Sequence, residues 1–364
     1  MPESLPDTCG ARPAGPPGQA GPVAGPGTKG EVIAMEETRG VSEAPVGTAA
    51  PGEAGLAQGG QPSSIPEPRN EGNAPEPEVA TERSALAEPV ARTAKAPDGE
   101  GTTLPPGLDI AIRDTAADIA ALLRGATDTG RPVPGLTWTV GETAAHLAQA
   151  NVLMADVAAG RERVHGDGTP EGIAEANARV LAAYGERAAG PLADLIEAGA
   201  TSFLAALPER RPDETLRTPM GPMDPATLAS YLLTHMLGHG YDLARAQGRP
   251  HMIDRGRVEL TLPFMKTVMP RVVAPAAVAG LTARFTVRLW GGAAFGVTVA
   301  DGGVTVHDRP EARADCTILT EPAAFLLMAL GRGGPWGAIA RGRALAWGRK
   351  PWLAPRFPTL FTAP

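Results

Sequence analysis

The segment Asp224–Arg249, DPATLASYLLTHMLGHGYDLARAQGR, determines how the rest of the chain is interpreted, because it marks both ends of a helix. Asp224 is a good N-cap, and Pro225 suits the first helical position, where a backbone N–H would have no partner within the helix. Gly248 suits the residue just beyond the C-terminal end. The segment therefore predicts one long helix between these signals.

One face of this predicted helix begins apolar and becomes polar halfway along. Leu228, Leu232, His235, His239 and Asp242 follow one another at steps of four, three, four and three residues. A stripe of this kind faces other protein, and its two histidines project side by side at a spacing that suits one transition-metal ion. The spacing alone fits an ordinary pair of packed histidines equally well.

The residue after the first histidine argues against one familiar class of metal enzyme. Zinc proteases with the HExxH motif need a glutamate at that position as the general base, and this sequence has Met236 there. Peptide hydrolysis by that route is therefore disfavoured.

Composition divides the 364 residues into a tail and a folded part. No Phe, Tyr or Trp occurs before Trp138, and residues 1–106 contain 18 of the 38 prolines. Such a segment cannot bury enough apolar surface to offset its chain entropy. We predict a disordered, Pro/Gly/Ala/Glu-rich tail over 1–106, dispensable for folding, then a helical domain at 107–249 and an α+β domain at 250–364. The tail could equally bind a partner or be upstream sequence translated from an early start codon.

Charge follows the same division. Residues 1–106 contain 15 acidic and 7 basic side chains, whereas residues 107–364 contain 25 and 26. The folded part has no overall basic excess, and no cluster of basic residues interleaved with aromatic ones stands out, so nucleic acid is disfavoured as a partner.

Three features predict a cytoplasmic protein without a membrane partner. The N-terminus lacks the basic and apolar regions of a secretion signal, and no apolar run approaches the ~18 residues needed to span a bilayer. Cys9 and Cys316 cannot form a disulfide framework, which fits a reducing compartment.

A second helix carries a third histidine. Thr139 and Glu142 form a capping box that begins this helix, which runs to about Ala159. His146 lies in its second turn and faces Ala150 and Leu153, so we expect it to point towards packed protein.

The remaining patterns between residues 107 and 249 complete a helical bundle. Leu108–Leu123 has the apolar spacing of an amphipathic helix, and one or two further helices lie between 170 and 207, broken near Gly190 and Pro191. In a four-helix bundle the second and fourth helices lie close enough to place His146 beside His235 and His239.

Three neutral imidazoles with a fourth position open form a catalytic type of zinc site, which Ni²⁺ or Fe²⁺ would also accept. Asp242, one turn beyond His239, either orients that ligand or pairs locally.

The chain after Pro250 has the pattern of an α+β domain. Arg284 and Arg288 lie on one face of a strictly alternating strand, where they would hold a carboxylate of the substrate or thiol if that face looked into a cleft. A solvated strand face is the favoured alternative. His165, His251 and His307 are interpreted as surface residues. The predicted elements are a helix at 255–273, strands at 282–289, 295–299, 304–307 and 314–319, and short helices at 322–330 and 336–341, whose surfaces could line an apolar pocket.

Three stretches resemble one known family. TWTVGETAAHLA (137–148) and HMLGHGYDLARAQGRP (235–250) resemble the two metal-binding motifs of the mycothiol-dependent maleylpyruvate isomerase family, which belongs to the DinB-like helical bundles. ADCTILTEPAAFLLMALGRGGPWGAIARGRALAWGR (314–349) resembles the sterol-carrier-protein-like C-terminal domain of many of these proteins. The resemblance covers about 108–364 and leaves the tail unexplained.

This resemblance implies a divalent metal, foremost zinc, with the low-molecular-weight thiol mycothiol as cosubstrate. His146 and His239 match histidine ligands of the family. His235 stands where the maleylpyruvate isomerases have a glutamate, as is frequent in the wider DinB-like group, and a neutral ligand leaves the site more electropositive.

The sequence therefore predicts a metal-dependent enzyme that uses a metal-activated thiol to isomerise a small electrophile or to transfer the thiol to it. The alternative is a non-catalytic, metal-containing protein whose C-terminal domain binds an apolar ligand. Neither the substrate, the catalytic residues nor the oligomeric state follows from the sequence.

Overall fold

The computed structural model describes residues 101–362, except residues 162, 164, 168 and 169 and the side chains of 170 and 171. The predicted disordered tail falls outside the described residues apart from its last six. Among these six, Thr102 is buried, and both its backbone N–H and its hydroxyl donate to the carbonyl of Arg210. The disorder of the rest of the tail stays a prediction.

The first half of the described chain is helical. Four helices, α1, α2, α4 and α5, form a bundle in which α1 and α2 each pack against both α4 and α5, while α3 packs along α2. A two-stranded hairpin, β1 (Leu216–Thr218) and β2 (Gly221–Met223), precedes α5. The helices are α1 (Leu108–Arg124), α2 (Val140–Ala158), α3 (Pro170–Ala183), α4 (Ala189–Ala206) and α5 (Pro225–Ala246).

The ends of the two histidine-bearing helices confirm the predicted signals. At the start of α2, Thr139 Oγ1 accepts the backbone N–H of Glu142, and Glu142 accepts that of Thr139. At the start of α5, Asp224 accepts the N–H of Thr227. Gly248 follows α5 with φ of 64°, a conformation that glycine adopts without the steric penalty of a side chain.

Two predicted boundaries are wrong, and prolines explain both. The chain between α3 and α4 breaks at residues 184–188, and Pro191 lies inside the first turn of α4, where no helical hydrogen bond is lost. Because α3 and α4 are two separate helices, the helix with His235 and His239 is the fifth in the chain. The helix predicted to reach residue 273 ends as α6 (Arg255–Val268), because Pro270 lies in a 3₁₀ turn (Met269–Arg271) and Pro275 begins the short helix α7 (Pro275–Val278).

The second half contains a five-stranded mixed sheet of order β5-β4-β3-β6-β7. Neighbouring strands are antiparallel except β3 and β6, which are parallel. The predicted hairpin between β4 and β5 is confirmed, with Asp301 and Gly302 at positive φ in its turn. The strands are β3 (Ala283–Leu289), β4 (Ala294–Ala300), β5 (Gly303–His307), β6 (Cys316–Thr320) and β7 (Ala344–Trp347).

Helices join this sheet to the bundle and enclose an apolar cavity. α6 packs against both α5 and α8 (Pro322–Ala329), and α9 (Pro335–Ala340) packs against β7 and the 3₁₀ segment Pro351–Arg356. Side chains of α6, the sheet, α8 and this 3₁₀ segment line a cavity of about 80 Å³. The predicted α+β class, a helical domain followed by a mixed-sheet domain, is confirmed. Within the described ranges, no helix has both the length and the apolar character that crossing a bilayer requires.

Candidate metal centre

Three imidazoles converge in the bundle between α2 and α5. His146 comes from α2, and His235 and His239 lie one turn apart on α5. One nitrogen of each ring lies within 4.8 Å of the others, and Nε2 of His146 is 3.1 Å from Nε2 of His235. The structure thus brings together the three histidines that the sequence grouped.

A glycine between the two histidines of α5 allows the C-terminal domain to approach them. A Cβ atom on Gly238 would lie 3.1 Å from Cδ1 of Leu330 and 3.7 Å from Cζ of Arg332. The first distance is tight, so a methyl group at this position would require the Leu330 side chain to shift by a few tenths of an ångström. The absence of a side chain at Gly238 therefore lets Leu330 and Arg332 lie close to the histidine-bearing helix.

Burial keeps the three rings neutral. Loss of water contact, followed by the proximity of His239, lowers the pKa of His146 and of His235 well below the ordinary value of 6.5. Burial also lowers the pKa of His239, although contact with Asp242 opposes this effect. Because a metal ligand must offer a lone pair, three neutral imidazoles are already in the protonation state that binds a cation.

The donor set fits a divalent transition metal. Nδ1 of His235 is buried without a hydrogen-bond partner among the described residues, whereas Nδ1 of His239 lies beside Asp242. An unpaired buried nitrogen is costly and calls for an explanation, such as an ion that recruits the ring. Three histidines that leave a further position open are a familiar ligand set of catalytic zinc.

Asp242 connects the histidine cluster to the C-terminal domain. Its Oδ2 lies 3.2 Å from Nδ1 of His239, an electrostatic contact rather than a well-aligned hydrogen bond. Arg332, in the loop after α8, donates from Nε to Oδ1 at 2.9 Å and from Nη2 to Oδ2 at 2.6 Å. Burial alone would raise the pKa of Asp242, but the contacts with His239 and Arg332 lower it below its ordinary value. The carboxylate is therefore ionised, and it contacts both His239 on its own helix and Arg332 of the C-terminal domain.

Arg332 is the residue at this site that the sequence did not single out. It lies 90 positions from Asp242, and no motif spacing connects the two. The only available sign was the glycine-rich loop Gly331–Gly334, which allows an approach as close as this one.

Aromatic rings shield the cluster from solvent. The Trp138 ring centroid lies 4.9 Å from that of His146 and 6.3 Å from that of His239. Tyr231 meets His235 edge-on and stacks on Phe264, and burial raises the pKa of its phenol. Trp138 therefore forms part of the wall of the site as well as preceding the capping box.

A polar cavity opens beside His146, between α2 and α3. It has a volume of about 180 Å³, and its wall includes Gln149, Asp156, His165 and Asn177. His165 Nε2 lies 2.7 Å from Oδ1 of Asn177, and the half-buried side chain forms part of the wall of this cavity. The cavity depends on how α3 packs along α2, which no local pattern encodes.

The two strand arginines lie elsewhere. Arg284 and Arg288 are exposed on β3, and neither lines the polar cavity beside His146 or the apolar cavity of the C-terminal domain. The structure does not bring them to the histidine cluster.

Fold and site together define a class of protein, a four-helix bundle with a three-histidine cluster followed by an α+β domain around an apolar cavity. Residues 111–244 match the family model of the mycothiol maleylpyruvate isomerase N-terminal domain, and residues 269–344 match the SCP-2 sterol transfer family. The helical domain is thus similar to the N-terminal domain of mycothiol maleylpyruvate isomerases, and a segment similar to the SCP-2 sterol transfer family follows it.

Solved structures align with the chain at low identity and low TM-score. A mycothiol-dependent maleylpyruvate isomerase and a point mutant of it align with a TM-score of 0.41 at 15% and 14% identity, covering 63% of this chain and 90% of theirs. The inverting sec-alkylsulfatase Pisa1 from Pseudomonas sp. aligns with a TM-score of 0.26 at 15% identity, covering 72% of this chain and 33% of that one. Alignments at this level assign no function. No curated protein sequence matches the chain.

Proposed function

We propose that this protein is a metal-dependent enzyme that uses a low-molecular-weight thiol, foremost mycothiol, to isomerise or S-conjugate a small electrophile. The observation that carries the proposal is the convergence of three neutral imidazoles, one nitrogen of each within 4.8 Å of the others, in a bundle that matches the model of this family's N-terminal domain. Function in the family supports the thiol, and the histidines support the metal.

His146, His235 and His239 would hold the metal, with zinc the foremost candidate and Ni²⁺ or Fe²⁺ also acceptable to these ligands. When bound, a Lewis-acidic ion with an open position lowers the pKa of a thiol and so supplies thiolate at neutral pH. The described cysteine, Cys316, does not compete for this role, because burial raises its pKa to about 11.

The chain's other side chains would orient the histidines and bind the cosubstrate. Asp242, held by Arg332, fixes the His239 ring, and Trp138 limits the access of water. The polar cavity beside His146 offers donors and acceptors to the hydroxyl and amide groups of a polar thiol, which would then present its sulfur towards the imidazoles.

The reaction follows from nucleophilic addition to an activated double bond. The thiolate forms a C–S bond at the carbon β to a carbonyl, and the π electrons move onto the carbonyl as an enolate. The former double bond is then a single bond and can rotate. Expulsion of the thiolate gives the geometric isomer, whereas protonation of the enolate carbon retains the S-conjugate.

A second candidate function rests on the apolar cavity of the C-terminal domain. Phe325, Phe357 and Phe361 contribute to its lining, together with Met265 of α6 and Met328 of α8. In this alternative the domain binds an apolar ligand, and the histidine cluster holds a structural metal without turnover.

Metal analysis followed by a turnover assay tests the proposal. We expect about one zinc per chain in the purified full-length protein, lost in His146→Ala and in His239→Ala because each removes one of three ligands. His251→Ala, a change of an exposed histidine whose ring meets that of Tyr241 at a tilted angle, is the matched control and should retain the metal. Turnover of maleylpyruvate that requires mycothiol and stops on chelation would support the enzyme. Metal binding without thiol-dependent turnover would favour the binding protein. If no metal bound even after reconstitution, both the metal-dependent enzyme and the metal-containing binding protein would be overturned.

A further inference from the structure

Exposed apolar side chains gather in one short part of the C-terminal domain. Among the residues that the structure describes, eight large hydrophobic side chains are exposed, and five of them lie between residues 336 and 352. Three are tryptophans, with exposed fractions between 48% and 71%. We call these five residues the aromatic edge: Trp336, Ile339, Leu345, Trp347 and Trp352.

The aromatic edge lies on three elements that pack against one another. Trp336 and Ile339 come from α9, Leu345 and Trp347 from β7, and Trp352 from the 3₁₀ segment that follows β7. β7 is an outer strand of the sheet. Ile339 and Leu345 also line the apolar cavity, so the aromatic edge is continuous with its wall.

The sequence of this region is basic, and acidic residues from outside it balance part of the charge: Arg332 pairs with Asp242, Arg343 with Glu321, and Arg349 and Lys350 with Asp315. Residues 322–364 contain six basic side chains and no Asp or Glu, whereas residues 107–321 contain 20 basic and 25 acidic ones. Acidic and basic side chains are nearly equal in number over residues 107–364 as a whole, which conceals this local excess of basic residues. The sequence-based prediction also found no basic residues interleaved with aromatic ones, although Trp336, Trp347 and Trp352 lie among these basic residues. Arg341 and Arg356 are exposed and form no ion pair with any described residue.

We propose that the aromatic edge docks on the surface of a lipid bilayer that contains anionic lipids. Tryptophan rings settle at the headgroup level, aliphatic side chains enter the boundary with the acyl chains, and arginines are attracted to anionic headgroups. Docking of this kind needs no membrane-spanning segment. The sequence-based prediction of no membrane partner rested on the lack of such a segment. It would also bring Ile339 and Leu345, and with them the cavity wall, next to the acyl chains.

Charge and apolar character favour the bilayer over other partners. A second copy meeting the same face across a two-fold axis would place the basic side chains of both copies against each other. Single-stranded nucleic acid would match the arginines and tryptophans but would leave Ile339 and Leu345 without an apolar environment.

Vesicle flotation of the full-length protein tests this surface. We expect the protein to float with vesicles of equal parts phosphatidylglycerol and phosphatidylcholine, to bind phosphatidylcholine vesicles more weakly, and to dissociate as salt is added. Arg341→Gln combined with Arg356→Gln should weaken binding by about 25-fold, since each cation near an anionic surface contributes about fivefold. Trp336→Ser combined with Trp352→Ser should weaken it by more than about tenfold through lost apolar burial.

Matched changes on the bundle separate docking from general stickiness. Ile110→Ser removes an exposed aliphatic side chain of α1, and Arg179→Gln removes an exposed cation of α3; both should leave vesicle binding unchanged. Circular dichroism checks that every variant is folded. Equal binding by edge and control variants, or no preference for anionic vesicles, would overturn the proposal. Self-association or nucleic-acid binding that depends on the tryptophans, without vesicle binding, would overturn it in favour of those partners.

Discussion

Asp242 of the bundle and Arg332 of the C-terminal domain form a buried ion pair with N–O distances of 2.6 to 3.0 Å, and the same carboxylate lies 3.2 Å from Nδ1 of His239. Asp242 is only 3% exposed. A movement of the second domain therefore changes the surroundings of a candidate metal ligand directly, through one intervening side chain.

Arg332→Met should destabilise the protein by about 3 kcal/mol, because it leaves the Asp242 carboxylate buried without its partner. The measurement is chemical denaturation of the metal-free protein. Arg245→Met removes an exposed arginine from the same helix as Asp242 and should change stability by less than about 0.5 kcal/mol. Similar losses in the two variants would contradict a special role for the ion pair.

The metal-free protein should lose stability as the pH falls below about 6.5, the ordinary pKa of histidine. The folded state lowers the pKa of His146, His235 and His239, so the unfolded state binds more protons in this window and stability rises with pH. Thermal melts across this range in a chelating buffer would measure the effect.

The control for this pH dependence is a pair of histidine substitutions. His146→Gln should flatten the dependence of melting temperature on pH, because one buried ring no longer resists protonation. His251→Gln, which alters an exposed ring, should leave it unchanged. A pH profile that is the same in wild type and His146→Gln would argue against a buried neutral imidazole at this position.

Binding of Ni²⁺ should quench tryptophan emission, and Trp138→Phe should remove most of that change. Trp138 is in ring contact with His146 and His239, whereas the tryptophans of the aromatic edge belong to the C-terminal sheet domain. Fluorescence titration measures the quenching, and isothermal calorimetry checks that the variant still binds. Trp352→Phe is the matched control, and quenching that survives in Trp138→Phe would place the ion elsewhere.

Cys316 should react slowly with thiol reagents in the folded protein and rapidly after unfolding. Its side chain is buried on β6, and burial raises its pKa to about 11, so little thiolate exists at neutral pH. Measuring the labelling rate of a Cys9→Ser background isolates this residue. Cys316→Ala should leave thiol-dependent turnover intact, whereas abolished turnover in a folded variant would implicate a protein cysteine.

Local chemistry made much of the fold predictable from the sequence. The capping box of Thr139 and Glu142 and the N-cap Asp224 act within one helical turn, so the starts of α2 and α5 follow from neighbouring residues. The positive-φ turn at Asp301 and Gly302 similarly fixes a hairpin. Errors arose where a proline is compatible with two structures. Pro191 was predicted to break a helix, but a proline is also tolerated in the first turn of a helix, which is where Pro191 lies.

The sequence by itself determined the two histidine-bearing helices and the grouping of His146 with His235 and His239, because helical periodicity and bundle packing place those side chains on facing surfaces. Only the tertiary structure decided that Arg332 neutralises Asp242 and that the tryptophans of α9, β7 and the 3₁₀ segment share one edge. These relationships join residues far apart in the chain, and their distances depend on how whole elements pack, which no local pattern specifies.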